Sequence, residues 1–142
     1  MILLLQYTII FASVLSLVAL GGCFSEHSGV INLGLEGIMV MGALGGALAM
    51  NVFSSIGNPF LMILVVCAAA ILFGVIYSAL LAVACINFNA DQTLVGTAMN
   101  LLATSIAAVL VRAYNSSLNA SDVSTTLRYV TPKKMFLLKF GD

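Results

Sequence analysis

The feature that most limits the fold of this chain is a long stretch, residues 37–90, that contains no Asp, Glu, Lys or Arg. A helix crosses the ~30 Å hydrocarbon core of a bilayer with about 20 apolar residues, so this stretch is too long for a single crossing. The segment 57–59, Gly-Asn-Pro, consists of helix-breaking residues and marks a turn. The sequence therefore predicts two membrane spans here, over residues 34–53 and 60–86.

Two further segments, residues 2–20 and 93–111, are apolar enough for one span each. Hydrophobic residues make up 62% of the chain and charged residues 7%, against roughly 45–50% and 25% in soluble domains. No Lys or Arg precedes Arg112. We therefore predict an all-α membrane protein with about four transmembrane helices over residues 1–113 and a polar C-terminal tail over residues 114–142.

Several other classes of protein are disfavoured. A net charge of zero, with aromatic residues scattered through apolar runs, argues against a nucleic-acid partner. Cys23, Cys67 and Cys85 lie far apart without a neighbouring His, which argues against a metal site or a disulfide framework, and no cofactor is predicted. The N-terminal apolar segment lacks the basic start of a signal peptide. We therefore expect it to be a span.

The segment 24–37 joins the first two predicted spans and mixes polar side chains with three glycines. Such a sequence suits a broken or re-entrant segment, which is tolerated at membrane depth only where it is buried in protein or lines a water-filled cavity. Asn32 is predicted to be the N-cap of the second span, with Glu36 in its first turn. A carboxylate beside an apolar run is unfavourable in lipid, so Glu36 is expected to face protein or water. It is either a cap or a substrate contact.

Small and polar residues recur at helical spacing in the later spans. Thr93, Thr97, Asn100 and Thr104 are three or four residues apart, which places them on one face of the fourth span. That face is expected to look at protein or water. Four small residues predict close helix packing, although glycine is also simply common in membrane helices; they are Gly42, Gly46, Gly74 and Ser78.

Two segments resemble a known family. Residues 24–46 read FSEHSGVINLGLEGIMVMGALGG, and residues 89–103 read NADQTLVGTAMNLLA. Both are similar to segments in the permease subunits of bacterial ABC importers for nucleosides and simple sugars, a group related to the ribose and branched-chain amino-acid permeases. The resemblance implies a multi-pass protein of the bacterial inner membrane.

The resemblance also implies partners and site residues. It implies a second permease subunit, ATP-binding ABC subunits that hydrolyse ATP, and an extracytoplasmic substrate-binding protein, all around a chain embedded in membrane lipid. The chain itself would not be an enzyme, and its sequence contains no phosphate-binding P-loop. Carried over from the family, the residues along the substrate path would be Asn32, Glu36, Gln92 and Asn100.

Two features depart from the family. No stretch matches the later loop through which such permeases dock the ATPase, which predicts a truncated subunit that carries only the N-terminal half. The basic residues of the tail place it in the cytoplasm by the positive-inside rule, whereas the family places the corresponding segment outside. The alternative to a transport role is a small structural or assembly protein, or a permease remnant that transports nothing.

Overall fold

The computed structural model of the protein contains four helices within its described residues, which are 2–29, 31–54, 57–119 and 124–127. In chain order the helices are α1 (Ile2–His27), α2 (Leu35–Val52), α3 (Pro59–Asn87) and α4 (Gln92–Leu118). All four are long and apolar enough to cross a membrane. The prediction of an all-α fold with four spanning helices is confirmed. Most of the predicted polar tail lies outside the described residues.

Two helices run further than the predicted spans. Helix α1 continues from residue 20 to His27, and α4 continues from residue 111 to Leu118. Neither extension contains proline, and glycine is tolerated in membrane helices, so nothing in the sequence stops either helix earlier. At 1.5 Å per residue, these helices exceed the ~30 Å core and must tilt or project from it.

Local capping explains where α3 and α4 begin. The Asn58 side chain accepts a hydrogen bond from the backbone N–H of Phe60, and Pro59 stands at the start of α3, where its missing N–H is not needed. The Asp91 carboxylate accepts from the N–H of Thr93 at 2.8 Å and so caps α4. The polar residues that break the apolar runs therefore also start the next helix.

Helix α2 lies at the centre and packs against both α3 and α4. Helix α1 meets α2 where Gly22 faces Leu35, and nearly all of the remaining α1 surface is exposed. In a bilayer such an apolar surface is covered by lipid or by other membrane helices. The core lies between α2, α3 and α4, and its buried members are Met41, Leu44, Tyr77, Leu81, Met99, Ala103 and Val111.

Glycines bring α2 close to α3. A Cβ on Gly45 would lie 2.6 Å from the Phe73 ring, so only glycine fits there without a shift. The predicted positions Gly42 and Gly46 also face α3, but more loosely, since an added Cβ would meet its nearest atom at 3.4 and 3.5 Å respectively. The hydroxyl of Tyr77 on α3 donates a 2.6 Å hydrogen bond to a backbone carbonyl of α4. The three helices therefore form one packed unit.

Candidate functional site

Asn100 on α4 holds the start of α2 in place. Its Oδ1 accepts a 2.8 Å hydrogen bond from the backbone N–H of Gly37, and its Nδ2 donates a 2.9 Å bond to the carbonyl of Leu33. The first backbone N–H groups of a helix have no partner within the helix. Asn100 therefore satisfies one of these groups of α2 from 63 positions further along the chain.

Gln92 and Asn32 bond to the segment that links α1 to α2, immediately before the start of α2. The Gln92 Oε1 accepts a 3.2 Å bond from the N–H of Ile31. The Asn32 Oδ1 accepts a 3.0 Å bond from the N–H of Gly34. Gly34 is the N-cap residue of α2, with no side-chain cap bond, so the prediction that Asn32 is the N-cap was wrong. Asn32 stabilises the preceding turn, and the side-chain bond to the first turn of α2 comes from α4.

Three glycines allow this close approach. A Cβ on Gly96 would lie 2.9 Å from the backbone nitrogen of Gly34 and 3.0 Å from the Cβ of Leu33. A Cβ on Gly37 would lie 3.1 Å from the Asn100 Oδ1. We call the contact of residues 31–37 with the N-terminal half of α4 the loop–helix clasp. The predicted re-entrant character of this link stays a prediction.

Glu36 lies at the edge of the loop–helix clasp. Its side chain is exposed and makes no hydrogen bond or ion pair within the described part of the chain. Successive helical residues are rotated by about 100°, so Glu36 and Ile38 flank Gly37 on opposite sides. Ile38 faces Gly74 of α3, and Gly37 faces α4. Glu36 therefore lies beside α4 on the side away from α3.

The exposed threonines of α4 lie on that same side. Gly96 packs against the link before α2, and Val95 and Thr97 flank it by about 100° in opposite directions. Val95 packs against the core, whereas Thr97 is exposed. Thr93 and Thr104 are also exposed, and the hydroxyls of Thr97 and Thr104 bond to carbonyls of their own helix. We call Thr93, Thr97 and Thr104 the threonine stripe.

The structure brings some of the predicted site residues together and separates others. Asn32, Gln92 and Asn100 all bond to residues 31–37, and Glu36 borders them with no side-chain hydrogen bond to any described residue. Three of the four predicted packing residues lie elsewhere, between α2 and α3: Gly42, Gly46 and Gly74. Gly74 faces Ile38, whereas the hydroxyl of Ser78 donates to a carbonyl of its own helix.

Sequence reasoning missed four residues, three at the loop–helix clasp and one near the C-terminal end of α4. The tight contacts of Gly34, Gly37 and Gly96 were not predicted, although all three lie in the two family-like segments. Asn115, at 2% exposure the most buried polar residue described, was assigned to the polar tail. Its burial had no local signal, because it depends on residues 124–127 folding back over it.

The described residues do not form a metal centre. No group of three or more His, Cys, Asp or Glu side chains comes together among residues 2–29, 31–54, 57–119 and 124–127. Within those ranges the cysteines are free, Cys23 and Cys67 being exposed and Cys85 half-buried. The polar chemistry available at the loop–helix clasp is therefore that of amides, hydroxyls and the Glu36 carboxylate.

Three curated relatives of this chain are named as permeases. It is 44% identical over 109 residues to the guanosine ABC transporter permease protein NupQ of Bacillus subtilis, covering 74% of this chain and 33% of that protein. It is 36% identical over 110 residues to the nucleoside ABC transporter permease protein NupC of Lactococcus lactis, covering 75% and 33%. It is 39% identical over 103 residues to a putative glucose ABC transporter permease protein of Haloferax volcanii, covering 72% and 29%.

The chain thus spans about a third of the length of the curated relatives it matches. None of the solved structures gives a significant match. The family model described as branched-chain amino acid transport system, permease component, matches residues 4–140. With its four apolar helices, this chain is therefore a multi-pass cell-membrane protein that belongs to the branched-chain amino acid transport system permease family.

Proposed function

We propose that this chain forms part of the membrane-spanning permease of an ATP-driven importer for nucleosides, with simple sugars as the next candidate class. The observation that carries the proposal is the exposed polar surface formed by Glu36 and the threonine stripe beside the loop–helix clasp. Polar groups within membrane helices are unfavourable in lipid and mark solute paths. The relatives named as nucleoside permeases favour this role over a purely structural one.

The groups on this surface differ in what they offer a solute. The Asn100 side chain already accepts one hydrogen bond from the backbone and donates one to it, and the Gln92 oxygen already accepts one from Ile31. These two amides act mainly as positioning residues. The Glu36 carboxylate accepts hydrogen bonds and is unpaired within the described residues, so it suits the hydroxyl groups of a ribose and the N–H groups of a nucleobase.

The proposal also assigns the partners. A second permease subunit would complete the path, an extracytoplasmic binding protein would deliver the solute, and separate ATP-binding subunits would hydrolyse ATP. Since the sequence carries no P-loop motif, we assign no catalytic residue to this chain.

The test is uptake of radiolabelled guanosine by proteoliposomes that contain the complete importer. We expect Glu36→Gln to lower uptake about tenfold, because a hydrogen bond to a charged group contributes ~1.5 kcal/mol or more and 1.4 kcal/mol corresponds to a factor of ten. Glu26→Gln is the matched control, since Glu26 is an exposed glutamate near the end of α1. Equal uptake by the two variants at equal protein levels would show that Glu36 does not contact the solute along the path.

A further inference from the structure

Asn115, near the C-terminal end of α4, fastens a short returning segment onto the helix. Its Nδ2 lies 3.1 Å from both the carbonyl oxygen and the hydroxyl oxygen of Ser124, and 2.9 Å from the carbonyl oxygen of Thr126. Three oxygens around one nitrogen fix the orientation of the amide. Leu127 packs against the core beyond these bonds. We call residues 124–127 the strap.

The strap lies on the same face of α4 as the threonine stripe. Asn115 is 18 positions beyond Thr97, which is five full helical turns, and Thr104 lies about 20° from the line between them. Thr97 and Thr104 are exposed, whereas Asn115 is 2% exposed. One continuous face of α4 is therefore open near the loop–helix clasp and covered by the strap at its other end.

The length of this face matches the membrane. Eighteen residues at 1.5 Å each separate Thr97 from Asn115 by roughly 27 Å, close to the ~30 Å thickness of the hydrocarbon core. Helices α2 and α4 both run away from the loop–helix clasp. The clasp and the strap thus stand near opposite ends of one face of α4, which carries Ala108 and Val111 between Thr104 and Asn115.

One polar atom beneath the strap lacks a partner among the described residues. The Asn115 Oδ1 is buried and has no hydrogen-bond partner among the described residues. A buried acceptor without a partner is destabilising, so the closed arrangement loses part of what the three Nδ2 contacts contribute. Within residues 124–127, the described part of this segment, Leu127 is half-buried and the other three residues are exposed.

We infer that the strap is a latch that closes the Asn115 end of the threonine stripe and opens when the Asn115 hydrogen bonds break. The inference rests on the proposed function, because a latch is meaningful only if the stripe borders water. In the closed state, solute and water reach Thr104 from the Glu36 end alone. Release of the strap exposes the same face from the other end.

Cysteine accessibility tests the latch without measuring transport. The full chain, with its native cysteines replaced by alanine, carries Thr104→Cys and is probed in intact cells and in inside-out vesicles with a membrane-impermeant maleimide. Ser117→Cys identifies the side on which the strap lies, because Ser117 is exposed next to Asn115. We expect Thr104→Cys to react only from the opposite side.

Asn115→Asp then opens the latch, because it keeps the shape of the side chain but turns an oxygen towards the oxygens that Nδ2 now contacts. We expect reaction of Thr104→Cys from the strap side to rise about tenfold or more. Leu127→Ala, which leaves α4 unchanged, should also raise the reaction of Thr104→Cys from the strap side. It serves as the test of the latch if Asn115→Asp does not accumulate. Val109→Cys, exposed on another face of α4, should not change.

Each alternative outcome has its own meaning. Equal reaction of Thr104→Cys from both sides before any latch substitution overturns the latch but leaves the path in place. An unchanged side preference in both Asn115→Asp and Leu127→Ala, with Ser117→Cys reacting normally, also overturns it. A thiol at position 104 that reacts from neither side in any variant overturns both the path and the latch.

Discussion

Gly96→Ala tests whether the loop–helix clasp determines the stability of the fold. The added methyl group would lie 2.9 Å from the Gly34 nitrogen, 3.0 Å from the Leu33 Cβ and 3.1 Å from the Leu33 carbonyl carbon. Favourable contacts between carbon atoms begin at about 3.5 Å, so residues 33–34 must move by roughly 0.5 Å or more. Overpacking of this kind costs ~1–3 kcal/mol.

The movement would also weaken hydrogen bonding. A shift of the link away from α4 lengthens the 2.9 Å bond from Asn100 Nδ2 to the Leu33 carbonyl towards 3.5 Å, where a hydrogen bond is largely lost. That loss adds about 1 kcal/mol. We therefore expect Gly96→Ala to lower the free energy of unfolding by about 2–4 kcal/mol relative to a control that gains the same helix propensity.

Gly42→Ala is that control. Both glycines lie inside helices, where alanine is favoured over glycine by ~1 kcal/mol, but a methyl on Gly42 meets only the Ala70 carbonyl oxygen, at 3.4 Å. The measurement is reversible unfolding of the purified chain in mixed micelles with increasing SDS, followed by circular dichroism. Amide exchange at Gly37, whose N–H bonds to Asn100, should be faster in Gly96→Ala only. If the two variants unfold alike, our account of the clasp is wrong.

Two further substitutions probe the packing of α3. Gly45→Ala would place a methyl 2.6 Å from the Phe73 ring, and we expect the free energy of unfolding to fall by ~1–3 kcal/mol in the same measurement. Gly46→Ala is the control and should change stability little, because its methyl would make ordinary contacts. Similar losses of stability in both variants would refute tight α2–α3 packing at residue 45. Tyr77→Phe removes the 2.6 Å bond to α4 and should cost ~0.5–1.5 kcal/mol, with unchanged stability contradicting a role for this hydroxyl.

Agreement between sequence and structure was best where the decisive interaction is local or depends on composition alone. Asn58 and Asp91 stand in the polar breaks predicted from the sequence, and each bonds to a backbone N–H two residues later. Asn32 shows the limit of local reasoning. It does bond two residues ahead, but the N-cap of α2 is Gly34, two residues after Asn32, and the side-chain bond to the first turn of α2 comes from Asn100.

The packing glycines show a second limit. The spacing of Gly42 and Gly46 predicted close packing there, yet the tightest contact to α3 is at Gly45. A small residue matters only when a bulky group or a backbone lies opposite, and the sequence of one helix does not say what lies opposite. The sequence around Gly96 likewise did not predict a tight contact, because that contact is with the backbone of Gly34, on another segment of the chain.

The sequence by itself determined that this chain is a four-span membrane protein, because the transfer of a helix into lipid depends on its length and composition, and these can be read without knowing the fold. It also carried the family resemblance in two continuous segments. Only the tertiary structure decided that Asn100 supports the start of α2, that Glu36 and the threonine stripe lie on one side, and that Asn115 is buried beneath the strap. Those features depend on contacts between helices, and such contacts exist only after the spans have packed.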